Sequence, residues 1–303
     1  MTTITVRTEI VPPVWSDEVL SFLRNQLCEK TRSAYRAELR LFALWIGKPA
    51  LAVMPGDIIA YKESLEARTL APATIHRRLA VVRSFYRFLS QMLNVPNPAL
   101  CVKLPKVSDE STRAVLSLQE TIRLIEAIPK DTVIGKRDRA LFGLLAVCGL
   151  RSIECSRANV GDIHVVDGFM VMRVVGKGNR IGQTKLRDDV WKAIQDYLST
   201  RTEAKADEPL FLSIGNLAKG RISSKTVQAR VKHYMALAGV LKPNLSCHSL
   251  RHGCAIHTLS IGDADIVQVQ RMLRHADPKV TMRYLTALDS LKNHGVDRNP
   301  ISL

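Results

Sequence analysis

The sequence predicts a mainly α-helical protein of two domains that contains one small antiparallel β-sheet. Apolar residues recur at helical spacing along most of the 303-residue chain. The proline-containing stretch 94–109 separates two such regions, and Asp167-Gly168 lies between runs of β-branched residues, which is typical of a tight hairpin. We therefore expect a helical domain over 16–105, an α+β domain over 112–290 and a tail over 291–303.

The first domain is expected to be a bundle of four helices. Ser16 and Asp17 are candidate caps for a first helix that ends near Leu27, and Asp57 is the candidate N-cap of the third helix. The second helix is expected over 31–46 and the fourth over 72–93, with these apolar residues as their buried faces: Tyr35, Leu39, Phe42, Ile46, Leu79, Val82, Tyr86 and Leu89.

The second domain is expected to begin with a helix near Leu118, because Ser117 and Glu120 have the spacing of a capping box. Helices continue through Gly149, and three strands follow over 163–166, 169–175 and 180–186. Lys177 is expected at the tip of the second hairpin. Further helices are predicted over 189–198 and 224–238, and from residues 249, 263 and 278 onward.

Charge points to a polyanionic partner. The chain carries 44 Lys and Arg against 28 Asp and Glu, a net charge of +16, and about a third of this excess lies in the first 110 residues. Two helices of the first domain bear basic residues at helical spacing, and Glu38 is the only carboxylate within 31–46. A helix face that is only solvated more often carries both basic and acidic side chains. The basic residues taken together therefore favour phosphate contact, although any one arginine could be solvated.

Other features bear on the compartment. The N-terminal segment shows no secretory signal, and the longest apolar stretch, 140–150, is about half of the roughly 20 residues that a membrane span needs. We expect a cytoplasmic protein with no membrane contact and with reduced thiols, because these cysteines are scattered: Cys28, Cys101, Cys148, Cys155, Cys247 and Cys254.

Three kinds of chemistry compete for the polar C-terminal region. A zinc site at Cys247, His252, Cys254 and His257 has poor ligand spacing, and residues 176–179 do not match a phosphate-binding loop. Metal-free phosphoryl transfer fits better. Arginines neutralise phosphate oxygens, lysine or histidine protonates a leaving alkoxide, and a tyrosine attacks. No metal and no cofactor are expected.

Ordered motifs in the chain carry a family resemblance. The segment 149–154 (GLRSIE), the hairpin 176–179 (GKGN), the motif 248–252 (HSLRH), Leu273-Arg274-His275 and Tyr284 resemble the tyrosine recombinase (phage integrase) family. Residues 30–35 and 71–79 resemble the SAM-like core-binding domain of that family, so the similarity covers about residues 16–290.

The resemblance implies site-specific cleavage and rejoining of DNA without metal or ATP. Arg151 and Arg251 would hold the scissile phosphate, Lys177 would protonate the 5′ oxygen, and Tyr284 would form a 3′-phosphotyrosyl bond. Assistance by hydrogen bonding and proton transfer would come from His248 and His275. The candidate DNA-binding residues of the first domain are Arg32, Arg36, Arg40, Thr74, His76, Arg77, Arg78, Arg83 and Arg87.

Simpler interpretations remain open for single residues. Arg151 could cap the preceding helix, His248 could be a neighbour of a helix cap, Lys177 could be an exposed turn residue, and Tyr284 could belong to the core. Arg274 occupies a position where the family usually has glycine. Because arginine adopts positive φ with difficulty, we expect either a different local turn or an added phosphate contact.

The expected partners are double-stranded DNA and further copies of the chain. The resemblance implies a tetramer on two DNA sites, in which the segment after Tyr284 docks on a neighbouring protomer; an ordinary intrachain helix is the alternative. Two other functions share parts of the pattern. One is a type IB topoisomerase-like enzyme, and the other is a non-catalytic DNA-binding regulator.

Overall fold

The computed structural model describes residues 15–26, 28–106, 115–176, 179–201, 203–214, 220–262, 264–275, 277 and 281–282. The chain divides into two compact units, Met1–Ser108 and Asp109–Leu303. Each unit has its own hydrophobic core.

The described residues of the N-terminal unit form four α-helices: α1 (Ser16–Arg24), α2 (Glu29–Ile46), α3 (Pro55–Ala67) and α4 (Pro72–Leu93). A short 3₁₀ turn at Ala50–Ala52 links α2 to α3. The bundle, the second helix and the fourth helix are confirmed. Gly47 ends α2 in the left-handed conformation, at φ 62°, as its position after the periodic run predicts.

Aromatic side chains fill the core of this unit. The indole of Trp15 stacks on Phe85, with 5.4 Å between ring centroids, and meets the edge of Phe42 at 5.6 Å. Its Nε1 donates to the carbonyl oxygen of Lys48 at 2.7 Å, so the buried indole also satisfies its polar atom. These contacts fix α1 against α2 and α4.

Two predicted helix caps in this unit are wrong. Trp15, and neither Ser16 nor Asp17, is the N-cap of α1, and the helix ends at Arg24, before the predicted end. Packing of the indole into the core sets this start. Asp57 is the third residue of α3, where its Oδ2 accepts the Met54 N–H at 2.9 Å. Proline lacks an N–H and is well suited to the first helical position, so α3 begins earlier, at Pro55.

The C-terminal unit places three strands among seven helices in its described residues. The helices are α5 (Leu118–Glu126), α6 (Val133–Ala146), α7 (Ser152–Arg157), α8 (Asp188–Leu198), α9 (Ser224–Leu237), α10 (Cys247–Ser260) and α11 (Ile266–Leu273). Helix α6 lies at the centre, where its buried Phe142 meets the ring edge of Tyr234 at 5.5 Å. It packs against α8 and α10.

The predicted antiparallel sheet is confirmed. Its strands are β1 (Ile163–Val166), β2 (Phe169–Val175) and β3 (Ile181–Lys185), in the order β1-β2-β3. Asp167 and Gly168 have φ of 48° and 79°, the positive values that a two-residue hairpin turn requires. Val175 pairs with Ile181 at the base of the second hairpin, whose tip at Lys177 lies outside the described residues.

Side-chain acceptors cap the first turns of α5, α10 and α11 in the C-terminal unit. The capping box at α5 is confirmed: Ser117 Oγ accepts the Glu120 N–H at 3.1 Å, and Glu120 Oε2 accepts the Ser117 N–H at 2.8 Å. The predicted starts at residues 249 and 263 are wrong. Ser246 caps α10 and Asp265 caps α11, and both accept backbone N–H groups of the first turn. The predicted helix from residue 278 falls largely outside the described residues.

Within the described part of the chain, no helix combines the length and the apolar character needed to cross a membrane.

Candidate active site

The site begins where α6 gives way to α7. Gly149 has φ 61°, and a methyl group at this position would lie 2.6 Å from Cδ2 of Leu273. Glycine is therefore required both by the backbone conformation and by the close approach of α11. The sharp turn that it makes buries Leu150 and brings Arg151 to the N-cap of α7.

Arg151 and Glu154 form a closed pair at the start of α7. Glu154 Oε2 accepts the backbone N–H of Arg151 at 2.8 Å, and Glu154 Oε1 accepts from Nη1 of the guanidinium at 2.7 Å. The Glu154 side chain is almost completely buried, whereas 32% of the Arg151 side chain is exposed. Arg151 is therefore the N-cap residue of α7, its backbone N–H is satisfied by Glu154, and a ligand can still reach its guanidinium.

Arg251 approaches the same carboxylate from α10. Its Nη1 lies 4.0 Å from Glu154 Oε2, and only 3% of the side chain is exposed. The guanidinium also donates to the carbonyl oxygens of Gly149 and Leu273, the latter at 2.6 Å from Nη2. Two arginines that are a hundred residues apart in the sequence thus share one buried acid.

The charges around Glu154 keep it ionised. Burial raises the pKa of this carboxyl, but the nearby Arg274 guanidinium and the hydrogen bonds from Arg151 lower it by more. The net pKa lies below the ordinary value, so Glu154 is a carboxylate at neutral pH. The sequence motif contains Glu154, and its spacing of three residues from Arg151 is the available signal for this pairing, but the sequence alone assigned it no role.

His275 lies beside the arginines and is neutral. Burial, then the positive charges of Arg251, Arg151 and Arg274, lower its pKa to about 4. Its Nδ1 is 2.9 Å from Thr281 Oγ1, a partner that lies outside the family motifs. A neutral imidazole can accept a proton as well as donate one, which is what general base catalysis requires.

Arg274 adopts the backbone conformation that glycine would have. It ends α11 in the left-handed region with φ 54°, so the expectation of a different local turn is wrong. Left-handed backbone costs an L-residue about 1–2 kcal/mol. Here the side chain offsets part of that cost, because Nη2 donates to Glu154 Oε2 at 2.9 Å and Nη1 donates to the Met272 carbonyl at 2.9 Å.

The remaining predicted site residues are placed less fully. His248 is exposed in the first turn of α10, and its backbone N–H donates to Ser246 Oγ, the cap of that helix. Lys177 and Tyr284 lie outside the described residues. The structure therefore brings together Arg151, Arg251 and His275, and it adds Glu154 and Arg274 to them.

The candidate metal ligands do not form a cluster. Cys247 is the first residue of α10, whereas the start predicted at residue 249 placed Cys247 before the helix. Burial raises the pKa of the Cys247 thiol to about 12 and that of Cys254 to about 11, which disfavours the thiolate form. Across the described ranges, no group of three or more His, Cys, Asp or Glu side chains is arranged to hold a metal ion.

Four of the candidate DNA-binding residues make polar contacts within the N-terminal unit. Arg77 and Arg78 on α4 form ion pairs with the buried Glu38 of α2, at 2.7 and 3.4 Å. His76 Nδ1 is 2.9 Å from the Pro105 carbonyl oxygen, and Arg32 binds Glu29 at 3.3 Å. The other candidates are on α2 and α4 with exposed or half-buried side chains, namely Arg36, Arg40, Thr74, Arg83 and Arg87.

Comparison with known proteins identifies the family. Residues 114–290 match the phage integrase family, and residues 20–92 match its N-terminal SAM-like domain. Over 289 residues, covering 91% of this chain and 93% of the relative, the sequence is 32% identical to tyrosine recombinase XerC of Pelobacter propionicus.

Solved structures share the fold. The XerH site-specific recombinase bound to a palindromic difH substrate has a TM-score of 0.70 at 17% identity, covering 89% of this chain and 79% of that one. A lambda integrase tetramer bound to a Holliday junction also has a TM-score of 0.70, at 15% identity, covering 89% and 76%. The chain therefore belongs to the phage integrase family, and it is a tyrosine recombinase that carries out site-specific recombination.

Proposed function

We propose that this recombinase breaks and rejoins double-stranded DNA through a 3′-phosphotyrosyl bond to Tyr284, without a metal ion or a nucleotide cofactor. The observation that carries the proposal is the convergence of Arg151 and Arg251 on Glu154, next to a neutral His275. Fixed cations at the place where phosphate charge develops lower the barrier, because they need no reorganisation during the reaction.

The two arginines neutralise the non-bridging oxygens of the scissile phosphate. A planar guanidinium can grip two phosphate oxygens and stays charged at any physiological pH. Glu154 orients Arg151, and two backbone carbonyls orient Arg251, so neither side chain has to find its position when DNA binds. Preorganisation of this kind explains how the site works without a metal.

Proton transfer completes the reaction. The Tyr284 oxygen attacks phosphorus and forms the phosphotyrosyl bond while the bond from phosphorus to the 5′ oxygen breaks. Lys177 gives its proton to the departing 5′ oxygen, and His275 accepts the phenolic proton. His248, exposed at the first turn of α10, donates a hydrogen bond to the phosphate. Attack by the 5′ hydroxyl of a partner strand reverses these steps and conserves the bond energy.

The proposed partners are DNA and further copies of the chain. Residues 16–105 act as a helical DNA clamp and residues 112–290 act as the catalytic domain. Exchange between two DNA sites needs four active sites, and lambda integrase, which shares this fold, has been solved as a tetramer bound to a Holliday junction. In this chain, the segment after Tyr284 is proposed to dock on the neighbouring protomer.

Replacement of the nucleophile tests the chemistry. A Tyr284→Phe variant should form no covalent adduct on a nicked suicide substrate and should bind DNA as the wild type does. The matched control is Tyr35→Phe, whose ring packs on Phe22 in the N-terminal unit and should leave adduct formation intact. A covalent adduct in the Tyr284 variant would disprove the assignment.

Removal of the C-terminal tail tests the assembly. A chain that ends at residue 290 should bind a single DNA site with unchanged affinity and should fail to form tetramers on two sites, as measured by native gel shift or by light scattering. Unaltered assembly of the shortened chain would instead support an intrachain role for the tail.

A further inference from the structure

We infer that Arg274 is a positioning residue for the cleavage step: it holds the Glu154 carboxylate against Arg151 and fixes strand β3 beside the pair. The inference rests on the proposed function, because cleavage is its readout. Arg274 is the C-cap residue of α11 and is not one of the six residues to which the family resemblance assigns catalytic roles.

Arg274 shares a single oxygen atom with Arg151. Oε2 of Glu154 accepts both the Arg151 backbone N–H, at 2.8 Å, and Nη2 of Arg274, at 2.9 Å. Oε1 of the same carboxylate accepts the Arg151 guanidinium. The acid is therefore held from α7 and from the end of α11 at once, and it has little freedom to turn away from Arg151.

The stem of Arg274 packs on the strand that follows Lys177. A methyl group at Gly182 of β3 would lie 3.1 Å from Cδ of Arg274, so glycine leaves the space that this side chain occupies. At Gly176, the residue that follows β2, a methyl group would lie 3.6 Å from Oε1 of Glu154. The ion pair thus lies against β3 and beside the residue that follows β2, at the base of the second hairpin.

The contacts of the Arg274 guanidinium favour positioning over a direct phosphate contact. Nη1 donates to the carbonyl oxygen of Met272 and Nη2 donates to Glu154, and only 14% of the side chain is exposed. Its charge also acts on both neighbouring acid–base groups, since it lowers the pKa of Glu154 and contributes to lowering that of His275. A direct phosphate contact is one outcome of the test.

The experiment measures single-turnover cleavage of a nicked suicide substrate together with the DNA dissociation constant. Arg274→Gly relieves the positive φ, so the fold should be retained. At saturating DNA we expect its cleavage rate to fall by about tenfold or more, the effect of a misplaced reacting group, with the dissociation constant unchanged within about twofold. Arg274→Lys should recover part of the rate.

The pH profile separates positioning from a general structural role. Among the described residues, the charged or titratable groups that face Glu154 are Arg151, Arg251, Arg274 and the Cys155 thiol. Without Arg274, the acid limb of the cleavage rate should move to higher pH, because the carboxylate loses a positive neighbour. An acid limb at the wild-type position would contradict the inference.

A double-variant cycle tests the contact with β3. Gly182→Ala should slow cleavage in the wild-type chain, because the new methyl group displaces Arg274, and it should have no further effect in the Arg274→Gly chain. Additive effects of the two substitutions would overturn the coupling. A larger DNA dissociation constant for Arg274→Gly, together with a wild-type cleavage rate at saturating DNA, would mean that Arg274 binds phosphate.

The two proposals fail in different ways. If the wild type itself forms no adduct, the proposed function fails. If the wild type forms the adduct and Arg274→Gly cleaves as fast, only this inference fails.

Discussion

Arg151 binds Glu154 twice, through its backbone N–H at 2.8 Å and through its guanidinium at 2.7 Å. One carboxylate therefore fixes both the first turn of α7 and the orientation of a side chain that is proposed to bind phosphate. Because Glu154 is 2% exposed, water competes little for either bond.

Glu154→Gln should lower both stability and cleavage. The amide leaves Arg151 and Arg274 without a buried counter-ion, and loss of one partner from a buried ion pair costs about 3–5 kcal/mol. Denaturant unfolding of the C-terminal unit would measure this loss. Asp189→Asn is the matched control, because its exposed pair with Arg187 should contribute about 1 kcal/mol or less. Equal losses in the two variants would refute the assigned importance of Glu154.

His275 should remain neutral through the physiological pH range. Its pKa of about 4 lies below the ordinary 6.5, because burial and the charges of Arg251, Arg151, Arg274 and His252 disfavour the proton. The unfolded chain binds this proton more readily, so the stability that His275 contributes at neutral pH is lost as pH falls from about 6.5 to about 4.

Titration by NMR would check this expectation. The ring carbon signals of a histidine-labelled sample should show one residue that shifts near pH 4, and this signal should be missing in His275→Gln. A His275 signal with its midpoint near pH 6.5 would contradict the expected burial beside three arginines.

Arg36→Ala should weaken DNA binding in a salt-dependent way. This exposed residue of α2 is among the candidate phosphate contacts, and each contact contributes about 0.9 to the slope of log K against log salt concentration. We expect the slope to fall by about that amount. Arg24→Ala, at an exposed position of α1 outside the candidate set, is the control. Identical slopes for wild type and Arg36→Ala would favour a solvated face.

Asp138 should be a major determinant of stability away from the site. This fully buried carboxylate accepts from Arg137 at 2.8 Å, from Arg230 at 2.7 Å and from Tyr234 Oη at 3.1 Å. Asp138→Asn should cost about 3–5 kcal/mol in unfolding free energy. Tyr234→Phe removes a single hydroxyl from the same network and should cost about 1–2 kcal/mol. A cost for Asp138→Asn below that of Tyr234→Phe would refute the ranking.

Local signals in the sequence predicted much of this fold. The hairpin turn at Asp167-Gly168, the capping box at Ser117 and the helix over 72–93 depend on residues close together in the chain, and all three are confirmed. The predicted starts of α3, α10 and α11 were wrong because nearby residues, Pro55, Ser246 and Asp265, set them. The predicted start of α1 was wrong because a distant part of the chain decided the local structure. Trp15 is the N-cap of α1 because its indole fits between Phe42 and Phe85, which no local pattern reveals.

The site shows the same limit. Motif order indicated Arg151, Arg251 and His275, and the structure brings them together. The role of Arg274 could not be read from the sequence, because its partner Glu154 is 120 positions away and the positive φ of arginine contradicts local preference. Only tertiary packing shows that an ion pair accompanies this backbone conformation.

The two carbonyl oxygens that accept hydrogen bonds from Arg251 determine which substitutions leave this side chain in place. Main-chain oxygens are present whatever side chain a residue carries, so exchanges at Leu273 that keep the backbone path leave that acceptor in place. Gly149 is the exception, since its turn admits no larger residue. Directed evolution toward new DNA targets can therefore vary much of the surrounding surface while this guanidinium keeps its anchorage.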